Sequence, residues 1–200
     1  MYKAFRPGTN ARGALLRRIR VIGHAICCAA LLSANSQPAR PVTQSDLEAV
    51  YLYNFGKFVN WPPEAAPASA PFSICTLGSD DFNGALDAIT SNESLQGHRI
   101  VVRHLASIAN ADGCQILFIG SSEEARVNKD LSVLRVKPVL TVSNMPSFLD
   151  RGGMIQFIVR EKRVRFAVNL TTAVQAHLSV SSELLKVAVA VQGAPAEGVK

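Results

Sequence analysis

The sequence predicts an α/β protein: a single three-layer domain with a mainly parallel sheet, helices on both faces and a C-terminal antiparallel hairpin. Three observations carry that expectation. Short runs of apolar and β-branched residues, at 72–77, 100–105, 114–119 and 139–142, alternate with segments of helical periodicity, the pattern of parallel strands joined by crossover helices. These runs are apolar almost throughout, as strands covered on both faces are. Two further runs, at 154–159 and 164–170, are separated by four charged residues with no helix between them, the spacing of a hairpin.

The chain has 200 residues, 48% of them hydrophobic, enough for one sizeable core. Its formal charge of +6 arises at the start: Lys3, Arg6, Arg12, Arg17, Arg18 and Arg20 precede residue 36, and no Asp or Glu does. Without these six, fifteen basic residues balance fifteen acidic ones, so net charge gives no support for a nucleic-acid partner. The basic start leads into an apolar run at 21–32 and then into Ser33, Ala34 and Ser36, the build of a secretory signal peptide. Residues 1–36 are assigned to it, with cleavage after Ser36 or Ala39. The alternative is a retained anchor, for which the run falls short of the roughly 20 apolar residues a span needs.

Cys27 and Cys28 leave with the signal, and the exported chain keeps Cys75 and Cys114. In an oxidising compartment the economical outcome is one disulfide, closing a loop of about 40 residues and contributing roughly 4 kcal/mol. The alternative is two buried free thiols in neighbouring strands.

Residues 37–45 form an extended lead-in, and residues 46–191 the domain. Ser45 with Glu48 reads as a capping box opening a helix, and Leu47, Val50, Tyr51, Asn54, Phe55, Phe58 and Val59 fall on one stripe expected to face the core. Asn54 breaks that stripe, and its amide is expected to bond a neighbouring loop. Pro62 and Pro63 end the helix. After the first strand a helix is expected over 81–89, a turn over 91–97, then the second and third strands. Ser121 with Glu124 reads as another capping box, for a helix to about residue 134. Ser143 and Asn144 open a helical turn after the fourth strand. The hairpin follows, expected at a sheet edge, then closing helices over 171–176 and 181–190 and a loose tail over 192–200.

No catalytic constellation is written in the chain: there is no G-x-S-x-G and no H-E-x-x-H. His98, His104 and His177 lack metal-ligand spacing, so neither a metal site nor a cofactor is expected. Asp80 and Asp81 adjoin in sequence and do not share a face. Three strand ends carry Gly78-Ser79-Asp80, Gly120-Ser121-Ser122 and Ser143-Asn144, where backbone N–H groups suit either N-capping or an anion. Along the second hairpin strand, Arg163, Arg165 and Ala167 alternate with Val164, Phe166 and Val168. One face is therefore apolar, and the other offers guanidinium groups beside Glu161. That face is either a charged guard on a solvated edge or a surface for carboxylates or a partner.

Taken in order, several segments resemble the YfiR family of periplasmic regulators over about residues 47–191. They are the tract from Tyr51 to Pro62, Phe72-Ser-Ile-Cys-Thr-Leu-Gly78, Cys114-Gln-Ile-Leu-Phe-Ile119, Pro138-Val-Leu-Thr-Val-Ser143, Gly152-Gly-Met-Ile155, Val164-Arg-Phe-Ala-Val-Asn-Leu170 and Ser181-Ser-Glu-Leu-Leu-Lys186. The resemblance implies a non-enzymatic protein that binds the periplasmic domain of an inner-membrane diguanylate cyclase and holds it off, lowering cyclic-di-GMP and restraining biofilm formation. It also implies an outer-membrane-associated lipoprotein that draws the regulator away, tuning by oxidation state, and admits a homodimer. Cys75 and Cys114 match the family's strand cysteines. A second cysteine pair, present in some members near the Gly-Gly turn and hairpin, has no counterpart here. Glu161, Arg163, Arg165 and Asn169 are the candidate partner- or ligand-binding residues. The rival reading is a periplasmic small-molecule sensor or solute-binding module using the cleft at the carboxyl ends of the strands.

Overall fold

The computed structural model describes residues 41–79, 82 and 84–193. The expected signal peptide, its two cysteines, the pair Asp80 and Asp81, and residues 194–200 lie outside them. One structural unit runs from Val42 onward. Its first element, helix α1 (Gln44–Phe58), begins inside the expected lead-in. The N-cap is Thr43 and not Ser45: Asp46 N–H donates to Thr43 Oγ1 at 3.2 Å, and Thr43 N–H donates to Asp46 Oδ2 at 2.7 Å. Glu48 does not cap. It is buried and accepts from Gln44 Nε2 at 2.8 Å.

The stripe that α1 buries is also rotated from the expected one. Ala49, Leu52, Phe55 and Val59 are fully buried, whereas Leu47, Val50 and Phe58 are 39%, 40% and 37% exposed. A helix turns 100° per residue, so two overlapping apolar stripes compete, and the sheet selects the one carrying Ala49 and Gly56. A Cβ on Gly56 would meet Leu95 Cδ1 at 2.5 Å, so a larger side chain here would displace the Leu95 side chain. Asn54 is half-exposed and not buried, which removes the ground for the expected loop bond.

Strands β1 (Val59–Asn60), β2 (Phe72–Leu77), β3 (Ser94–Leu95), β4 (His98–Leu105), β5 (Ile116–Ile119) and β6 (Leu140–Ser143) follow, with helix α2 (Ala85–Thr90) after β2 and helix α3 (Val127–Leu134) after β5. Then come β7 (Ile155–Arg160), β8 (Arg163–Asn169), α4 (Leu170–Gln175), β9 (Ser179–Val180), α5 (Ser182–Val187) and β10 (Ala190–Gln192). The main sheet has the order β10-β8-β7-β6-β5-β2-β4-β3, and β1 pairs with β9 in a separate antiparallel ladder. Strands β4, β2, β5, β6 and β7 are parallel to one another, β3 is antiparallel to β4, and β8 is antiparallel to β7.

Three expectations fail at the C-terminal end. The closing helix stops at Val187, and residues 190–192 form β10, parallel to β8 with Ala190 opposite Ala167. The hairpin is therefore not at the sheet edge along its lower half, and Gln192 belongs to a strand and not to a tail. The Val-Ala run at 187–191 fits either state by propensity, and pairing with β8 settles it. The expected helix after Gly120 is likewise shorter: Ser121–Glu123 is a 3-10 turn without a side-chain cap, and α3 starts at Val127. The segment after Ser143 is turn, not helix: Ser143 Oγ donates to the Ile119 carbonyl at 2.7 Å and accepts from Met145 N–H at 3.1 Å.

Strand alternation sorts the core into two. On one face Phe72, Ile74, Ile116, Phe118, Leu140, Val142, Ile155, Phe157, Phe166 and Val168 pack with α1 and α2. On the other, Cys75, Leu77, Leu117 and Ile119 pack under Val127, Leu131 and Leu134 of α3 and under Met145 and Phe148. Beyond β6 no described helix contributes to this second cluster.

Candidate functional site

The turn between β7 and β8 consists of Glu161 and Lys162 alone, with φ of 50° and 60°, the left-handed pair that closes a two-residue hairpin. It fixes the register: Arg160 faces Arg163, Val159 faces Val164, Ile158 faces Arg165 and Phe157 faces Phe166. Phe157 and Phe166 lie on the α1 side, where the Tyr51 ring packs tilted against Phe157 at 6.0 Å and edge-on against Phe166 at 5.6 Å, and its hydroxyl donates to the Val164 carbonyl at 3.4 Å. The opposite face carries Ile158, Arg160, Arg163 and Arg165, and all three arginines are exposed. None of them has an ion pair among the described residues, unlike Arg126 with Glu123 at 2.7 Å, Lys137 with Asp112 at 2.8 Å and Arg151 with Glu124 at 3.2 Å.

The four residues expected in the hairpin site separate in this geometry. Arg163 and Arg165 share the open face, and Glu161 sits at the tip. Asn169 lies at the far end of β8, where Oδ1 accepts from Thr172 N–H at 3.1 Å and Nδ2 donates to the Leu149 carbonyl at 3.3 Å. It caps α4 and ties down the preceding connection. Arg160, one of the four charged residues between the two expected strands, completes the face. The two-residue turn is the signal that places it opposite Arg163.

Cys75 and Cys114 are bonded, with Cα atoms 5.9 Å apart. Cys75 lies mid-strand in β2, and Cys114 two residues before β5. Arg103 on β4 stands over the bond: Nη1 is 3.7 Å from Cys114 Sγ and 3.0 Å from the Asp112 carbonyl, and Nη2 is 2.9 Å from the Asn110 carbonyl. Beside Cys114 a cleft of about 450 Å3 opens, lined by Ala65, Pro71, Gln115 and Pro138 among others. Gln115 is its buried floor. Its Oε1 accepts from Ser73 N–H at 2.6 Å, its Nε2 donates to the Ala65 carbonyl at 2.5 Å, and its own carbonyl accepts from Trp61 Nε1 at 3.1 Å. At the rim, the Lys137 ammonium holds the Asp112 carboxyl below the usual carboxylate range.

This cleft lies at the amino ends of β2, β5 and β6. The chain switches direction across the sheet between β2 and β5, the place where open α/β sheets usually bind ligands at the carboxyl ends. Here the two loops at that point are joined. Ser79 N–H donates to Ser122 Oγ at 2.9 Å, and Gly120 N–H donates to the Leu77 carbonyl at 2.8 Å. Gly78, at φ 96°, permits the approach, since a Cβ there would stand 2.5 Å from Ser122 Oγ.

One relay-like arrangement occurs. Thr76 Oγ1 is 2.9 Å from His104 Nδ1, and His104 Nε2 is 3.5 Å from Asp87 Oδ2. Thr76 is 3% exposed within a central strand, so a substrate carbonyl has no approach to its oxygen, and the histidine satisfies a buried hydroxyl. Among the described residues no three His, Cys, Asp or Glu side chains gather as a metal site. No described helix is long and apolar enough to cross a membrane.

These features define a disulfide-stapled α/β domain whose most distinctive surface is a protruding, unpaired arginine face. The chain belongs to the YfiR/HmsC-like family, whose model matches residues 45–189, a family of periplasmic regulators. No curated protein matches the sequence. A crystal structure of a conserved domain protein from Vibrio cholerae O1 biovar El Tor str. N16961 has a similar fold, with a TM-score of 0.51 at 11% identity over 76% of this chain and 61% of that one. The chain thus spans about three fifths of that protein's length, and at this identity the likeness concerns fold alone.

Proposed function

We propose that this protein is an exported, non-enzymatic regulator that represses an inner-membrane diguanylate cyclase by binding its periplasmic domain. The observation that carries the reading is the YfiR/HmsC-like match across residues 45–189. Two features support it. The N-terminal sequence has the build of a signal peptide, and the hairpin presents cations that the fold itself leaves unpaired. An outer-membrane-associated lipoprotein that sequesters the regulator, and a second copy of the chain, are the further partners this reading admits. The test is a pull-down of detergent-solubilised inner membranes with purified protein, with and without reductant. Recovery of a GGDEF-type cyclase is the expected result, and its loss on reduction makes Cys75–Cys114 a control point. An empty pull-down in both states overturns the reading.

The rival, a small-molecule sensor or solute-binding module, draws on the cleft beside Cys114 and not on the strand carboxyl ends first considered for it. A thermal-shift screen of small metabolites without a hit counts against it.

A further inference from the structure

We propose that the outer face of the β7–β8 hairpin is a docking strip for an extended acidic segment of a partner protein, with carboxylates at alternate positions. The inference rests on the regulatory reading for the partner being a protein, and it deepens that reading by naming the surface and the chemistry it selects.

The hairpin outruns the sheet. The last β6 partner of β7 is Gln156, opposite Ser143, and β10 pairs with β8 only from Ala167 downward. The Phe166 carbonyl still accepts from Val189 N–H at 2.9 Å, so residues 157–165 are the stretch flanked by no strand of the main sheet on either side. On the α1 face Tyr51 packs on Phe157 and Phe166, while Arg160, Arg163 and Arg165 of the other face are exposed.

That open face is cationic by register. Arg160 and Arg163 stand directly opposite each other, about 5.5 Å apart at Cα in a hydrogen-bonded antiparallel pair. Like charges so placed destabilise a sheet, and no described carboxylate relieves them. Arg163 and Arg165 are two residues apart on one strand, about 7 Å along it. A second extended chain repeats its side chains at the same interval. An acidic residue at every other position therefore meets successive guanidinium groups, each able to take a carboxylate through two parallel N–H bonds. The pattern suits an anionic bilayer less well. The tip residues Glu161 and Lys162 are both charged, so there is no apolar wedge to enter a membrane, and Glu161 leads with the wrong sign.

The test compares the full-length protein, its Arg160→Gln/Arg163→Gln/Arg165→Gln variant, the single variant Arg163→Gln, and Arg135→Gln as an exposed control elsewhere. The probes are a fluorescent alternating Glu-Thr decapeptide and phosphatidylglycerol vesicles. The expected result is saturable peptide binding that weakens about tenfold in the triple variant, less in Arg163→Gln, and is unchanged in Arg135→Gln, with the peptide losing affinity as salt is raised. Equal peptide binding by all four proteins overturns the proposal, as does no binding by the unsubstituted protein. Vesicle binding without peptide binding also overturns it, in favour of lipid. In the membrane pull-down, cyclase recovery by the triple variant at the unsubstituted level sinks this inference and leaves the regulatory reading standing. Failure of the unsubstituted protein to recover any cyclase, with the peptide difference intact, sinks the regulatory reading alone.

Discussion

Cys75 and Cys114 link β2 directly to the entrance of its neighbour β5, across 5.9 Å between Cα atoms and 39 residues of chain. Backbone pairing of Ile74, Cys75, Thr76 and Leu77 with Ile116 to Ile119 by itself defines the register of the two strands. Its contribution lies in what it denies the unfolded chain. A loop of this length is expected to lose roughly 4 kcal/mol of stability on removal of the bond, about 10 °C in melting temperature for a domain of this size. Chemical denaturation of a Cys75→Ala/Cys114→Ala variant measures it. A variant that no longer folds would mean that the bond organises the amino-end cleft and does more than tether two paired strands.

Asp130 on α3 is 5% exposed. Burial, and secondarily the nearby Glu123 carboxylate, raise its pKa above the ordinary 3.8, against the opposing pull of Arg126 and Lys129. A raised carboxyl pKa means the folded state holds the proton more tightly than the unfolded one. The group's favourable contribution is thus complete below about pH 3.8 and is lost as pH climbs through the elevated folded value. Asp130→Asn, which cannot ionise, is expected to melt higher than the unsubstituted protein at pH 7 and to lose that advantage toward pH 4. Melting curves across this range decide it, and a difference independent of pH would show that Asp130 acts through packing.

Gly78 is the hinge on which the switch point closes. A residue with a side chain must adopt φ 96° and crowd Ser122 Oγ, which currently receives the Ser79 N–H. Gly78→Ala is expected to cost about 1–3 kcal/mol and to expose the Ser79 amide to hydrogen exchange. A neutral result in urea denaturation would mean that the two loops separate freely, and it would reopen the carboxyl-end crevice as a ligand site.

Local pattern in the sequence determines part of this fold. Strand β2 was expected at 72–77 and spans Phe72–Leu77, because an apolar run bounded by Pro71 and Gly78 leaves little choice. The hairpin and its alternation were also legible, since a short charged turn between two β-rich runs admits few alternatives. The face that α1 buries was not, because Leu47, Val50 and Phe58 make as good a stripe as Ala49, Leu52 and Phe55 until the sheet's shape is known. Strand β10 was missed for the same reason: Ala190 becomes a strand residue only by meeting Ala167, a partner distant in sequence. Ser79 and Ser122 show the limit on the site. Each reads as a helix opener, and only the fold reveals that they bond each other.

The Arg160–Arg163 pair yields the most direct check on the hairpin's electrostatics. Both side chains are exposed and directly opposed, so replacing one by a carboxylate turns a repulsive cross-strand pair into an attractive one without changing the turn. Arg160→Glu is expected to stabilise the protein by about 0.5–1 kcal/mol at low ionic strength, and the gain should shrink in high salt as the Debye length falls toward roughly 3 Å. Urea denaturation at both salt levels separates charge from packing. A gain that survives high salt would point to a packing effect of the shorter side chain. A loss would mean that Arg160 makes a contact its exposure conceals. A salt-sensitive gain would show that the fold carries this repulsion at a cost to itself, as a surface built to meet an acidic partner would.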